Sequence, residues 1–378
     1  MKAGRWAFSF LFFAAAAFAD SGEHAGPITF STLVTLPGGI EGLTSDYQGN
    51  LYTPMRATAP APCPVLKIPV NDPTHYVVVG NIPAPGATTS CSPSGLAFGP
   101  DGQLYVTQSD NNIYRFTPNE TTPPTATVFA SGVPGNNGLA FDWNGNLWTG
   151  DGTTGFGRVW RISPDGATVI EEFRIPPMAN GATVGTGVGR SVLTLPTGNA
   201  QPLVANGVQF DHAHNLYIAD TARGALWKVH LGSDSTPLVR IGCDSTLPAD
   251  TLCFDHVWAQ NPLMEGADGF VLDVAGNAWV DANERNAVVF VVNGTRQVIE
   301  AFRNPPDATT HLRNTGPLET PTSPVLMGHQ LCTANSDGNR RDNSPSSAGE
   351  IGGSGGPKGK ISCMDQRVAI PGMVLPIH

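Results

Sequence analysis

Charge is scarce in this chain of 378 residues: Asp, Glu, Lys and Arg together make up 14%, and 21 basic residues are outnumbered by 31 acidic ones, for a formal net charge of −10. A surface short of positive charge argues against a nucleic-acid backbone or an anionic membrane as partner. Beyond the first residues, no stretch approaches the ~18 uninterrupted apolar residues of a membrane span. The six cysteines contain no CxxC pair and no Cys/His zinc spacing. No G-x-S-x-G is present, so Ser94 opens no nucleophile elbow and a serine hydrolase is disfavoured.

What is there begins with a secretory signal over residues 1–19: Lys2 and Arg5, an apolar run from Trp6 to Phe18, and a small-residue cleavage site ending at Ala19. The mature protein, 20–378, is expected to be secreted or periplasmic. In an oxidising compartment six cysteines read as disulfides, with 15 possible pairings. Nearest neighbours are expected to pair, Cys63 with Cys91, Cys243 with Cys253 and Cys332 with Cys363, because each pair clips one inter-strand loop.

The 44 glycines, 33 prolines and many short apolar runs read as loop-rich all-β structure. One phrase recurs five times: EGLTSDYQGNLYTPM from Glu41, SGLAFGPDGQLYVTQ from Ser94, NGLAFDWNGNLWTGD from Asn137, NGVQFDHAHNLYIAD from Asn206 and DGFVLDVAGNAWVDA from Asp268. Each copy is a polar residue, a glycine, an alternating strand, a Gly/Asn turn and a second apolar strand. Spacings of 53, 43, 69 and 62 residues are those of four-stranded propeller blades lengthened by insertions. A degenerate sixth copy, without the polar-Gly start, runs from Thr322 through Cys332 and Thr333. The expected fold is one domain, a six-bladed β-propeller, closed by pairing of residues 29–36 with 360–363 so that no sheet edge is left exposed. Insertions fall at 57–64, 180–202, 242–266 and 344–359.

The leading polar residue changes from copy to copy: Glu41, Ser94, Asn137, Asn206, Asp268. On the innermost strand of each blade these residues converge at one end of the central channel, and glycine follows because the backbone is crowded there. The carboxylates of Glu41 and Asp268 with the amide oxygens of Asn206 and Asn137 suit a hard divalent cation, Ca²⁺ first, with Zn²⁺, Mg²⁺ and Mn²⁺ left open. Such a cation polarises a carbonyl and acidifies water, and a nearby carboxylate takes the proton.

These residues resemble the senescence marker protein and gluconolactonase family, six-bladed calcium-dependent propellers that hydrolyse lactones. The resemblance covers most of residues 35–340 and rests on Glu41-Gly42-Leu43, Asn137-Gly138, Asn206-Gly207-Val208 and Asp268-Gly269. It implies Glu41, Asn206 and Asp268 as metal ligands, Asn137 as a fourth or substrate-side ligand, and Asp268 as general base. The family's sugar lactonases carry an arginine two residues before the blade-three Asn. Gly135 stands there instead, which points to a different or more apolar lactone or ester.

The substrate pocket is expected to include Ser94, Asn137, Asp220 and Trp258, the last from an insertion. His212 and His214 fall in a hairpin turn at the opposite face and are read as a solvated turn, not a zinc site. A monomer acting on a small molecule is expected. Two other readings stay open: a non-catalytic propeller with a structural metal, and a metal-assisted lyase or a condensing enzyme of the strictosidine-synthase type.

Overall fold

The computed structural model describes residues 27–177, 203–309, 311–313, 315–336 and 359–373. The signal segment, the 180–202 insertion and the 344–359 insertion, Gly359 apart, lie outside them. Twenty-five strands form six antiparallel sheets, and among the described residues there is no α-helix, only three 3₁₀ turns. Five of the six sheets run from an inner to an outer strand in chain order, and the sixth takes its outermost strand from Phe30–Thr35. Blade 2, for example, is Pro93–Phe98, Leu104–Gln108, Asn112–Phe116 and Thr127–Ser131.

The alternating apolar residues have a specific destination. The core is divided into six clusters, each lying mainly between two neighbouring blades. One holds Trp148, Val159 and Phe173 of blade 3 against Phe210, Leu216 and Trp227 of blade 4. Another joins Leu43, Leu51 and Ile68 of blade 1 to Val325, Cys332 and Ile361 of blade 6. Each blade is therefore stabilised by its neighbours, and the ring gains most when it is complete.

The inner hairpins of blades 1 to 5 are organised by one aspartate each. Asp142 accepts from the backbone N–H of Asn144 and of Asn146, both at 2.9 Å, from the Asn146 amide, and from Trp148 Nε1 at 2.8 Å. Asp46 with Asn50 and Tyr52 does the same in blade 1, and Asp211 with Asn215 and Tyr217 in blade 4. An Asx turn thus fixes the reversal, and the following aromatic buries its body while its polar tip is satisfied. Burial, reinforced by the aspartate, pushes the Tyr52 and Tyr217 phenols well above the usual tyrosine range.

Closure is as the sequence suggests. Phe30–Thr35 pairs antiparallel with Lys360–Met364, so the first strand of the chain becomes the outermost strand of blade 6. All three expected disulfides are present. Cys332–Cys363 ties the second and third strands of this closing blade, where the two residues are direct cross-strand partners. Replacing both by serine is expected to cost about 2–5 kcal/mol, read as a lower midpoint of denaturant unfolding under oxidising conditions.

Blade 4 departs from the simple repeat. Its third strand, Ala225–Leu231, pairs at one end with Pro237–Leu238 and at the other with Val257–Gln260. The 242–266 insertion therefore supplies part of the outer edge of the sheet, stapled by Cys243–Cys253.

Candidate functional site at the polar mouth of the channel

The polar-Gly pair of each repeat breaks the ladder of its hairpin. In blade 3, Asn136 pairs with Asp151 and Leu139 with Thr149, leaving Asn137 and Gly138 in a bulge. Ser94-Gly95 and Asp268-Gly269 sit in equivalent bulges, as does Thr322 of blade 6. A bulge bends the strand and re-aims its side chain, which is how these residues leave the alternating pattern.

The six positions make a closed ring. A methyl group added at Gly42 would lie 2.2 Å from the Ser94 carbonyl oxygen, and one at Gly95 would lie 2.4 Å from that of Asn137. One at Gly138 would meet Gly207 Cα at 2.8 Å, and one at Gly269 the Thr322 carbonyl at 2.3 Å. The N–H of Gly207 donates to the Asp268 carbonyl at 3.2 Å. Thr322 Oγ1 completes the circuit by donating to the Glu41 carbonyl at 2.7 Å. Only glycine allows neighbouring inner strands this close.

A second layer supports the polar side chains, and its spacing is constant. The residue fifteen places after the polar one, the first beyond the second strand in blade 3, returns to the same mouth. Asn283 Nδ2 donates to Asp268 Oδ2 at 2.7 Å, and Asn206 Nδ2 donates to Thr221 Oγ1 at 3.2 Å. Arg56 Nη2 donates to Glu41 Oε2 as an ion pair. Gly152 makes room for Asn137, whose Nδ2 would be 2.5 Å from a methyl group placed there. Because these partners lie outside the alternating strands, the sequence signals them only through the constant fifteen-residue interval.

Asp281 adds a buried carboxyl beside this ring. It is wholly buried, its Oδ2 accepts from Thr333 Oγ1, and its Oδ1 has no hydrogen-bond partner. Burial holds its carboxyl well above the usual carboxylate range, against the pull of the Thr333 hydroxyl, and the nearby Asp268 charge adds to the rise.

Among the described residues no group of three or more His, Cys, Asp and Glu side chains is placed to hold a metal. A cation here would have to draw on the two carboxylates, Glu41 and Asp268, and on the amide oxygens of Asn206 and Asn137. That donor set fits a hard cation that accepts carbonyl oxygens and water. The fit has structural support: Glu41 already holds a cationic group, Arg56, and Asp281 leaves an orphaned buried oxygen near Asp268.

Two residues expected in the pocket are engaged elsewhere. Asp220, wholly buried, accepts from the Arg223 N–H, from Arg223 Nη1 at 2.9 Å and from Trp227 Nε1 at 3.0 Å. Arg223 in turn donates to the Pro176 carbonyl, so Asp220 braces the chain leaving blade 3. Trp258 is buried in an apolar cluster between blades 4 and 5, edge-on to Tyr217 at 5.2 Å. Ser94 and Asn137 lie in the ring. His214 stacks on Trp143 at 3.6 Å in the hairpin turns, away from the ring. Gly135 is required where it stands: its φ is +79°, and a methyl group there would be 1.9 Å from Asp151 Oδ1, itself paired with Arg158.

A concavity lies at the other end of the channel. A cavity of about 420 Å³ is lined there by Leu43, Leu96, Leu139, Phe141, Phe210 and Val271, among others, and by none of the ring's leading polar residues. Volume and converging oxygen donors thus sit at opposite mouths, and chemistry needs the donors.

No family model matches the chain, and no curated protein does. Solved structures do. A luciferin-regenerating enzyme is 14% identical with a TM-score of 0.57, over 92% of this chain and 98% of that one. Regucalcin from Agrobacterium tumefaciens, described as a calcium-binding protein, is 16% identical with a TM-score of 0.56, over 93% and 97%. A gluconolactonase from Xanthomonas campestris is 15% identical with a TM-score of 0.52, over 92% and 90%. At such identities the likeness is one of fold: the chain is a six-bladed propeller whose structural neighbours are regucalcin and gluconolactonase-like proteins.

Proposed function

We propose that the protein is a secreted, divalent-metal-dependent hydrolase of a lactone or related cyclic ester, with its active site at the polar mouth. The observation that supports this reading is the closed ring of backbone contacts between inner strands at the Glu41, Asn137, Asn206 and Asp268 positions, which span more than two hundred residues of chain, with bulges at Asn137 and Asp268. The gluconolactonase and the calcium-binding protein among its structural neighbours support it.

Glu41, Asn206 and Asp268 would hold the cation, Ca²⁺ by the hardness of the donors. Bound there, it supplies polarisation of the ester carbonyl and acidification of a water molecule. Asp268 takes the water's proton, its carboxylate plane fixed by Asn283. As the water oxygen bonds to the acyl carbon, the ring C–O bond breaks and the proton passes to the leaving alkoxide, giving a hydroxy acid. Asn137, seated against Gly152, and the Ser94 hydroxyl orient the substrate's polar atoms. Three disulfides support a site of action outside the cytosol.

The test is Ca²⁺ binding by calorimetry alongside hydrolysis of a panel of lactones and esters, with Glu41→Gln beside wild type. The variant should lose both functions, its Ca²⁺ affinity by more than the roughly 10–100-fold typical of outer-shell changes. A wild-type protein that folds without metal and hydrolyses nothing on the panel points instead to a ligand-binding propeller.

A further inference from the structure

The fifteen-residue partner is neutral in blades 2 to 5, Ser109, Gly152, Thr221 and Asn283, and charged only in blade 1, where it is Arg56. Its guanidinium sits on Glu41 through Nη2, while its Nε is buried without a hydrogen-bond partner. The Arg56 and Glu41 side chains are 35% and 15% exposed, so the pair faces the mouth and is not sealed beneath it.

Arg56 and a divalent ion cannot both be well served by one carboxylate. Glu41 and Asp268 carry two negative charges, which a divalent ion alone balances, and a guanidinium kept in place would be a repelling third positive charge. We propose that Arg56 occupies Glu41 in the metal-free protein and is released when a divalent cation binds, becoming the receptor for the carboxylate of a small anionic ligand such as a hydroxy acid. This rests on the metal-site reading above. The released guanidinium has a planar fork of donors, with Nε already unsatisfied, and that fork matches a carboxylate bidentately. The space beside Gly135, the other place where an arginine would be expected, is filled by Asp151.

Two calorimetric titrations test the switch. With Ca²⁺ as probe, Arg56→Gln should bind the ion roughly tenfold more tightly than wild type, because a competing cation is gone, and a coupling of this kind typically spans roughly 5–150-fold. With 4-hydroxybutyrate as probe, wild type should bind when Ca²⁺-loaded and not when Ca²⁺-free. Loaded Arg56→Gln should fail to bind. Arg56→Lys, which keeps the charge without the fork, should retain wild-type Ca²⁺ affinity and bind 4-hydroxybutyrate more weakly, and it serves if the glutamine variant does not fold. Unchanged Ca²⁺ affinity in folded Arg56→Gln, or equal 4-hydroxybutyrate binding with and without Ca²⁺, overturns the switch alone. A wild-type protein that binds no Ca²⁺ overturns the site reading and the switch together.

Discussion

Asp268→Asn should lower kcat for lactone hydrolysis by roughly 10²–10⁴-fold, the usual contribution of a positioned base, without unfolding the protein. The amide oxygen of the replacement still offers Asn283 an acceptor, so the ring geometry is kept. Removing the charge also relieves Asp281, whose carboxyl is driven up by burial and further by the Asp268 charge. The metal-free variant should therefore melt no lower than wild type in differential scanning calorimetry. Because Asp268 is proposed both to hold the cation and to take the proton, the two roles need separating. Activity is measured at rising Ca²⁺ concentration: recovery to wild-type kcat at saturation would reduce Asp268 to a ligand, whereas a persistent loss supports the base.

Much of this architecture was legible because it is periodic. A polar-Gly start, period-two strands and an Asx turn recur at blade-like intervals, and that periodicity is physical: each copy must bury an apolar face against the next. The disulfides and the closing strand follow from the same frame. The supporting partners were harder to see. Arg56, Thr221 and Asn283 lie beyond their strands and carry no hydrophobic period, and they matter only through what they touch across a bulge. A carboxylate at a strand end and a tryptophan in an insertion are polar-mouth and surface features by type, so the sequence points Asp220 and Trp258 to the pocket. The fold uses one to bind Arg223 and the other to fill the joint between two blades. Thr322 was hidden differently: the sixth copy has serine where the others have glycine, so its polar residue did not announce itself, yet its hydroxyl closes the ring.

That ring makes the stability of the fold and the spacing of the site one problem, and Gly95→Ala is where the two meet. The added methyl group would lie 2.4 Å from the Asn137 carbonyl oxygen and 3.0 Å from Gly138 Cα. Both obstacles are backbone atoms of the adjacent blade, which no side-chain rotation can move aside. Gly95 is not among the positive-φ glycines, so backbone strain plays no part and the effect is one of space. Forcing blades 2 and 3 apart is expected to cost about 3 kcal/mol, the upper part of the usual range for overpacking. Because the hydroxyl of Thr107 also bridges from Gly95 to the Asn137 carbonyl, the displacement passes directly to the Asn137 side of the site. The control is Gly294→Ala, in an exposed turn with nothing within 4 Å of the added atom, expected within about 0.5 kcal/mol of wild type. Denaturant unfolding compares the two variants. If Gly95→Ala is as stable as Gly294→Ala, the inner strands are not held as close as the ring requires, and the convergence of the polar residues loses its basis.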